Sequence, residues 1–477
     1  MLMRMIYDDR LAQAAYLIGC QRTGEAIVID PERDVDRYLD LAKREGLRIV
    51  ASAETHIHAD FLSGARELAE RTGARAYLSD EGDADWKYLW PKTMDGKKGY
   101  EHRLLKNGDA FVVGNIEFRV LHTPGHTPEH ICFLVVDKGS GATEPMAILS
   151  GDFIFVGDLG RPDLLETAAG QTGAAEPSAR RLFASVKRFM ELPDYLQVWP
   201  AHGAGSACGK ALGAVPQSTV GYEKRFNPAI RAAEKGEQAF VDFILEGQPE
   251  PPLYFARMKR ENKTGPAVLG QLARPRTLSA AEAGRLDGRQ TAILDTRTWK
   301  EFMGGHLPGS LYTPLGNDFT TVAGSYVEAT ESMYLVVDPA RAEEAVRDLA
   351  RIGLDRVEGV IPPGVFAELR ESGGTLSTGS EVDVEEAKRL AQDAFLLDVR
   401  RKDEFGEGHL PGAKHIPHTR LAERLSEVPK DRTVLVNCRS GGRSARAVAL
   451  LQRAGVKAVN LGGGFTAWHR GGGGVEK

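Results

Sequence analysis

Candidate metal ligands alternate in one short stretch of this chain, and they constrain its fold and chemistry more than any other feature. His56, His58 and Asp60 lie in the stretch 55–61, directly after the apolar run 47–51. In an extended segment alternate side chains share one face, so these three would project together at the end of a strand. Imidazole and carboxylate groups together suit iron, zinc or manganese. The alternative is a solvated loop whose histidines have no joint role.

Three more candidate ligands recur later in matching contexts. His126, Asp152 and His202 each follow a strand-like apolar run. Ligands that come after several different strands can meet at one edge of a fold. The sequence therefore predicts a metal site built from His56, His58, Asp60 and these later residues.

The order of these residues resembles the metallo-β-lactamase superfamily. In that family a His-x-His-x-Asp-His motif is joined by a distant His, a bridging Asp and a final His. Phe61 stands where the last His of the first motif is expected, and a phenyl ring cannot bind a metal. The resemblance implies an α/β fold, an αββα sandwich. We expect the second metal site of the family to be disabled here and a mononuclear site to be favoured.

Composition limits the class of protein. The chain has 477 residues, enough for three domains, and its 42% hydrophobic and 27% charged residues are typical of a soluble globular protein. With a net charge of −5 we expect no nucleic acid and no membrane among its partners. The N-terminus lacks the apolar core of a secretory signal, and four cysteines are too few for a disulfide framework. We therefore expect a cytoplasmic protein with reduced thiols.

The first part of the chain alternates short apolar strands with amphipathic helices. Predicted strands include 26–30, 116–121 and 131–136, and a helix is predicted over 35–44. This pattern fits a β-rich sandwich flanked by helices. A proline-rich tract at 247–252 marks a boundary, so the first domain is expected over residues 1–255.

The rest of the chain is an internal repeat. Segment 293–297 matches 396–400, and segment 305–310 matches 408–413. Each half continues with a strand and an amphipathic helix, which predicts a small parallel α/β unit present twice. The repeated motifs resemble rhodanese domains, expected over 270–372 and 376–477.

A candidate nucleophile lies in the last repeat. Cys438 follows a predicted strand and opens a helix, and Arg439 and Arg443 lie in the same loop. Unpaired backbone amides, the positive end of the helix and two guanidinium groups all favour a thiolate. The loop is similar to the active loop of rhodaneses, with Cys438 as the sulfur carrier. A buried structural cysteine is the alternative.

The middle repeat lacks these features. Its strand ends at Asp338, which cannot carry sulfur, and Pro339 removes an amide donor. We expect this domain to have no transferase activity and to serve as a spacer or docking module.

Within the superfamily, persulfide dioxygenases and glyoxalase II enzymes look alike. Glyoxalase II uses a dinuclear site to activate hydroxide, whereas persulfide dioxygenases use one ferrous ion. Phe61 favours the persulfide dioxygenases, and this resemblance implies one Fe(II) per chain. The resemblance then implies His56, His126 and Asp152 as ligands. In that case the remaining candidates would lie outside the ligand shell or would be remnants of the second metal site. They are His58, Asp60 and His202.

Two nearby segments carry further candidates. Arg161 and Asp163 resemble a loop of persulfide dioxygenases; Arg161 would buttress the site or form a surface salt bridge, and Asp163 would accept an N–H from a ligand histidine. Cys208 and Lys210 follow His202 in a stretch similar to persulfide dioxygenase–rhodanese fusions. Cys208 would relay sulfur near the iron or simply pack, while Lys210 and Arg161 would meet the anionic tail of a thiol.

These resemblances imply a two-step activity. A persulfide of a low-molecular-weight thiol reacts with O₂ to give sulfite, and Cys438 passes a second sulfur to sulfite, giving thiosulfate in sulfide detoxification. One alternative is a glyoxalase II-type thioester hydrolase with a fused sulfurtransferase. Another is a non-enzymatic relay that uses Cys208 and Cys438 as acceptors. A homo-oligomer, dimer or tetramer, is expected.

Overall fold

The chain forms two compact units in a computed structural model that describes residues 1–92, 99–168, 170 and 172–477. The first unit contains Met1–Gln271 and Arg351–Gly353, and the second contains Leu272–Ala350 and Leu354–Lys477. Among the described residues, no helix is both long and apolar enough to cross a membrane.

Two six-stranded sheets form the frame of the first unit. The first sheet has the order β1-β2-β3-β4-β5-β6, and the second has the order β14-β13-β10-β9-β8-β7. Their strands, with a small β11-β12 pair, are β1 Leu2–Asp8, β2 Gln13–Cys20, β3 Glu25–Ile29, β4 Arg48–Ala53, β5 Arg75–Ser79, β6 His102–Leu105, β7 Ala110–Val113, β8 Ile116–His122, β9 Ile131–Asp137, β10 Ala147–Gly151, β11 Ile154–Phe155, β12 Asp158–Leu159, β13 Gln197–Pro200 and β14 Ser218–Thr219.

The main core of this unit lies between the two sheets. Tyr77 of the first sheet stacks on Phe111 of the second, with ring centroids 3.8 Å apart, and Phe118 and Phe133 extend the same cluster. Burying such aromatic rings removes large apolar areas from water and fixes the sheets face to face. The sandwich predicted from the alternating strands is confirmed.

Helices cover the outer faces of the sandwich. They are α1 Asp36–Arg44, α2 Ala65–Thr72, α3 Leu164–Thr167, α4 Ala175–Met190, α5 Val220–Phe226, α6 Pro228–Glu234, α7 Glu237–Leu245 and α8 Phe255–Thr264. The first unit continues past residue 255, the expected end of the first domain, because α8 is bonded back onto the metal-ligand stretch. Asn262 donates to the carbonyls of His58 and Phe61 at 2.8 and 2.7 Å.

The internal repeat is visible as two parallel five-stranded sheets in the second unit. Their orders are β15-β19-β18-β16-β17 and β20-β24-β23-β21-β22, the same topology twice. The strands are β15 Arg276–Thr277, β16 Ala292–Asp295, β17 Leu311–Tyr312, β18 Met333–Val336, β19 Val357–Ile361, β20 Glu381–Val382, β21 Phe395–Asp398, β22 Lys414–His415, β23 Val434–Asn437 and β24 Ala458–Leu461.

Helices lie between the parallel strands and after the last of them, as the strand–helix repeat predicts. They are α9 Ala280–Ala283, α10 Trp299–Gly304, α11 Phe319–Tyr326, α12 Ala342–Arg351, α13 Val365–Glu371, α14 Val384–Leu390, α15 Lys402–Glu407, α16 Gly442–Arg453 and α17 Gly464–Arg470. Each half also carries a buried Asp–Arg pair at the end of its second strand, Asp295 with Arg297 and Asp398 with Arg400.

Candidate metal centre and sulfur-transfer site

Three of the predicted ligands form one buried group in the first unit. His56, His126 and Asp152 follow the ends of β4, β8 and β10, and one potential ligand atom from each lies within 4.8 Å of the others. The Nε2 atoms of His126 and His56 lie 3.4 and 3.9 Å from Asp152 Oδ2. The strand ends therefore bring together residues that are up to 96 positions apart in the chain.

Hydrogen bonds fix the tautomer of both histidines. His126 Nδ1 lies 3.0 Å from the carbonyl of Arg161 and must donate to it. The Thr55 hydroxyl donates to Asp30 and accepts from His56 Nδ1 at 3.0 Å. Burial lowers the pKa of both imidazoles, so both are neutral with a bare Nε2. The Nε2 lone pairs of His56 and His126 therefore face the same carboxylate, that of Asp152.

The Asp152 carboxylate has no hydrogen-bond donor in the part of the chain that the structure describes. Both oxygens of Asp152 are buried without a hydrogen-bond partner among the described residues. A buried anion facing two lone pairs is costly unless a cation lies between them. Two neutral imidazoles and one carboxylate are also the ligand set of a three-residue site for a divalent metal. The residues of this group fit a ferrous ion.

His130 supports the site, and the sequence does not predict this role. Its Nε2 accepts the amide of Asp152 at 3.1 Å, and its Nδ1 pairs with Thr123 at 2.8 Å. Gly151, with φ of 52°, lets the chain turn here, because a Cβ at this position would lie 2.7 Å from His130 Nε2. No spacing signal distinguishes His130 from the other histidines, so contact with Asp152 becomes evident only in three dimensions.

A second buried group borders the first. Asp60, His202 and Cys208 also offer ligand atoms within 4.8 Å of one another. His202 Nε2 lies 3.2 Å from Asp60 Oδ2 and 3.4 Å from Asp152 Oδ1, so Asp152 touches both groups. Burial raises the pKa of the Cys208 thiol to about 12. The sequence predicts Cys208 near the metal, as a sulfur relay or as a packing residue, but it does not predict its grouping with Asp60 and His202.

His58 lies outside both groups. Its Nε2 is 3.1 Å from Asp30 Oδ1, and its ring packs against Phe61 with centroids 4.3 Å apart. Burial alone would lower the pKa of His58, but Asp30 and the neighbouring carboxylates raise it to about 9. His58 therefore forms an ion pair beside the site, and the fully buried Phe61 ring fills the space next to it.

Three of the predicted supporting residues have other partners than expected. Arg161 is buried and pairs with Asp163 at 2.6 Å, so its salt bridge does not lie at the surface, and its role as a buttress stays a prediction. Asp163 does not accept an N–H from a ligand histidine, because Arg161 and Thr167 occupy it. Lys210 donates to the carbonyls of Phe243 and Glu246. Both Arg161 and Lys210 thus have partners inside the protein, and their contact with the anionic tail of a thiol stays a prediction.

The thiol of Cys438 lies where β23 meets α16. It is 1% exposed and accepts the Gly441 amide at 3.2 Å, while the Ser444 hydroxyl donates to it at 3.4 Å. Gly441 has a φ of 97°, which glycine adopts without strain, so the loop can fold its amides around the sulfur. The loop is arranged to stabilise negative charge on Cys438 or on a sulfur atom attached to it.

The two arginines of this loop differ in their ion pairing and in their exposure to solvent. Arg443 forms a two-fold ion pair with Glu404 at 2.6 and 2.8 Å. Burial would raise the pKa of Glu404, but Arg443 lowers it to about 2, so the pair is charged at neutral pH. Arg439 is exposed to solvent. The Glu404 carboxylate therefore balances part of the positive charge that was expected near Cys438.

The Glu404→Gln variant tests whether the Glu404 carboxylate weakens the effect of the Arg443 charge on Cys438. Removing the carboxylate leaves the Arg443 charge for the nearby sulfur, and a gain of about 1 kcal/mol for the thiolate corresponds to a roughly fivefold faster reaction. We expect Cys438 to react about five times faster with iodoacetamide at pH 7, followed by mass spectrometry of its peptide. Arg443→Gln should slow the same reaction. Equal rates in all three proteins would contradict a role for this pair.

The middle repeat borders the Cys438 site within the second unit. Asp318, just before α11, pairs with Arg446 of α16 at 2.7 Å. Tyr326 at the end of α11 is buried, its hydroxyl has no hydrogen-bond partner among the described residues, and burial raises the pKa of that hydroxyl. At the position equivalent to Cys438, Asp338 begins a short 3₁₀ turn and accepts the Ala340 amide at 2.9 Å.

Comparisons with known proteins agree with this architecture. The family model "Metallo-beta-lactamase superfamily" matches residues 8–202, and the model "Rhodanese-like domain" matches residues 383–470. A crystal structure titled as a metallo-beta-lactamase from Staphylococcus aureus subsp. aureus COL is 41% identical. It covers 76% of this chain and 99% of its own length, with a TM-score of 0.67.

Curated relatives match separate parts of the chain. Persulfide dioxygenase ETHE1 of Bos taurus is 26% identical over 48% of this chain and 76% of its own length. A Sulfurtransferase of Allochromatium vinosum is 42% identical over 19% of this chain and 89% of its own length. A Hydroxyacylglutathione hydrolase of Polaromonas sp. is 31% identical over 51% of this chain and 92% of its own length.

The chain spans about half the length of the first curated relatives that it matches. The metal-ligand groups lie in or just beyond the part matched by the first family model, and Cys438 lies in the part matched by the second. The sandwich, the strand-end ligands and the repeated parallel sheets agree with both models. The chain therefore belongs to the metallo-beta-lactamase superfamily and carries a C-terminal rhodanese-like domain.

Proposed function

We propose that the chain is a non-heme iron persulfide dioxygenase with a fused thiosulfate sulfurtransferase. In this proposal one domain oxidises the persulfide of a low-molecular-weight thiol to sulfite. The last domain combines sulfite with a second sulfur atom to give thiosulfate, and together they remove sulfide. The likeness to a persulfide dioxygenase and to a sulfurtransferase supports the two halves of the proposal.

The group of His56, His126 and Asp152 is the observation that carries the proposal. It brings together three candidate ligand residues, two with neutral imidazoles and one with a carboxylate that has no hydrogen-bond donor among the described residues. One ferrous ion held there would supply the redox chemistry that lets O₂ react with a persulfide sulfur. The carbonyl of Arg161 and the Thr55 hydroxyl orient the two imidazoles for that task.

The overall reaction of the first site consumes one persulfide, one O₂ and one water and yields sulfite and the free thiol. At the second site, Cys438 attacks the outer sulfur of another persulfide, and the carrier leaves as a thiol. Sulfite then attacks the sulfur held on Cys438, and the Cys438 thiolate is the leaving group. The Gly441 amide and the Ser444 hydroxyl stabilise that thiolate. Joining the two sites in one chain raises the local concentration of sulfite.

Oxygen consumption and metal content test the first half of the proposal together. The purified chain should take up O₂ with a panel of low-molecular-weight persulfides, and elemental analysis should find about one iron per chain. The product with persulfide alone should include thiosulfate. Absence of O₂ uptake with every persulfide in an iron-loaded protein would refute the dioxygenase.

A thioester hydrolase is the second candidate function, and the group of Asp60, His202 and Cys208 is the observation that favours it. If this group binds a second ion beside Asp152, the site becomes dinuclear and suits hydroxide activation. The likeness to a hydroxyacylglutathione hydrolase points the same way.

Counting metal ions in the Cys208→Ser variant separates the two functions. The dioxygenase predicts one ion per chain in both the wild type and the variant. The hydrolase predicts two ions in the wild type, fewer in the variant, and hydrolysis of S-lactoylglutathione that falls with the lost ion. Cys20→Ser is the matched control, because Cys20 lies on β2 away from both groups.

We also expect a cytoplasmic homodimer or homotetramer. The four cysteines are free, as suits a reducing compartment. Size-exclusion chromatography with light scattering would measure the oligomeric state.

A further inference from the structure

A buried amide on α8 lies well beyond residue 202, where the match to the superfamily model ends. The buried stripe of this helix consists of Phe255, Met258 and Asn262. Two of these side chains are apolar, as expected for a helix face that covers a core. Asn262 is only 1% exposed, and burying an amide is costly unless it is hydrogen-bonded. Its place in this stripe therefore points to specific partners.

Asn262 holds three backbone groups of the turn 58–63, which follows the candidate ligand His56. Its Nδ2 donates to the carbonyls of His58 and Phe61 at 2.8 and 2.7 Å, and its Oδ1 accepts the Ser63 amide at 2.8 Å. Exchanging its nitrogen and oxygen would set the oxygen against two carbonyls and the NH₂ group against an N–H. The contacts therefore allow one orientation of the side chain, and in that orientation it closes the turn.

The turn 58–63 carries Asp60 of the second ligand group. Asp60 lies between the two carbonyls that Asn262 binds, and its Oδ2 lies 3.2 Å from His202 Nε2. The same Nε2 lies 3.4 Å from Asp152 Oδ1, so one imidazole contacts both carboxylates. A shift of the turn would therefore disturb the second group and, through His202, a candidate ligand of the first group.

The chain just after α8 is bonded to the first unit at further points. Arg66 donates to the carbonyls of residues 265 and 266, both at 3.0 Å. The buried Glu67 carboxylate accepts the amides of residues 269 and 270 at 2.7 and 2.9 Å. Arg66 and Glu67 both lie on α2, which follows the turn 58–63 in the chain. These bonds keep the end of α8 against the turn.

We propose that Asn262 is a positioning residue of the metal centre, which holds the turn 58–63 and with it the orientation of the Asp152 carboxylate. Asp30 fixes the beginning of this stretch through Thr55, and Asn262 fixes its end. The metal domain of this chain then extends through α8, beyond the residues matched by the superfamily model. This inference rests on the metal centre of the proposed function and not on the reaction with O₂.

Iron binding to the Asn262→Ala variant tests this role. Loss of a residue behind the ligands typically weakens a metal site by about 10–100-fold, and we expect Fe(II) to bind about tenfold more weakly. Anaerobic competition with a chromophoric chelator measures this affinity. In the metal-free variant, amide hydrogen exchange in the peptide that spans the turn 58–63 should be faster, as measured by mass spectrometry. Asn262→Gln keeps both kinds of hydrogen-bonding group and should recover part of the affinity.

Asn227→Ala is the matched control. Asn227 is also a fully buried amide of the first unit; its Nδ2 donates to the Asp158 carbonyl and its Oδ1 accepts the Ala229 amide, both at 3.0 Å. Its loss should lower the melting temperature of the metal-free protein about as much as Asn262→Ala does. Iron affinity and hydrogen exchange in the turn should stay those of the wild type. An equal loss of affinity in both variants, or in neither, would overturn the proposal.

Asn262→Asp is the second variant, in case the alanine protein does not fold. Aspartate has the same shape and keeps an acceptor for the Ser63 amide, but it sets a carboxyl oxygen against the carbonyls of His58 and Phe61. We expect Fe(II) to bind about tenfold more weakly here as well, because both donated hydrogen bonds are lost. An affinity equal to that of the wild type would overturn the positioning role.

Metal binding separates this inference from the dioxygenase itself. Weaker Fe(II) binding in Asn262→Ala, in a protein whose wild type takes up no O₂ with any persulfide, would refute the dioxygenase and support the positioning role. O₂ uptake by the wild type, with unchanged Fe(II) affinity in the variant, would refute the positioning role alone. A wild type that binds no Fe(II) would refute both.

Discussion

Replacing His126 with alanine is expected to remove the metal and the O₂ uptake while leaving sulfur transfer by Cys438 intact. His126 is a direct candidate ligand, and losing a direct ligand should cost more than the 10–100-fold in affinity typical of a residue behind the ligands. We expect persulfide-dependent O₂ uptake to fall by more than about a hundredfold and iron content to fall with it. Elemental analysis and an oxygen electrode measure the two effects.

The nearby His122 offers a matched control for this experiment. It lies at the end of β8, and its Nε2 pairs with the carbonyl of Pro128 at 2.9 Å, outside both ligand groups. His122→Ala should keep both iron and O₂ uptake. Oxygen consumption by an iron-free His126→Ala protein would defeat the ligand assignment, and loss of sulfur transfer would show a general folding defect.

Replacing Cys438 with serine is expected to end thiosulfate formation while O₂ uptake continues. A serine hydroxyl is not ionised at neutral pH and cannot carry a sulfane sulfur, so transfer should fall by at least about a thousandfold. Sulfite should then accumulate as the final product. Ion chromatography of sulfite and thiosulfate, beside O₂ uptake, distinguishes the two sites.

Two comparisons complete the Cys438→Ser experiment. Cys20→Ser should behave as the wild type, because Cys20 lies on β2 in the other unit. Sulfite formation in Cys438→Ser should equal the O₂ consumed. Joint loss of O₂ uptake and sulfur transfer would mean that the chemistry is not divided between two independent sites.

Strand positions and the internal repeat could be predicted because they depend on local patterns. The apolar runs before His56, His126 and Asp152 are strands in the structure, and the two halves of the repeat share one topology. Buried strands require continuous apolar stretches, and such stretches can be recognised without knowledge of their neighbours.

Side-chain partners could not be predicted in the same way. The sequence left two roles open for Arg161, a buttress or a surface salt bridge, because its pairing with Asp163 and its carbonyl contact with His126 depend on how a loop folds. His130 and Asn262 have no sequence context that sets them apart, and the role of each depends on packing against distant segments. Cys208 was placed near the metal, yet its grouping with Asp60 follows from the close approach of two loops.

Asp30 has a consequence for how this protein acquires its metal. Its carboxylate accepts the Thr55 amide and hydroxyl at 2.7 and 2.9 Å and pairs with His58, and none of these contacts requires a metal. The ligand turn is therefore preorganised, and metal capture costs little conformational entropy. Unlike a zinc finger, which folds only around its ion, this domain should keep its fold when a chelator strips it and should reload reversibly.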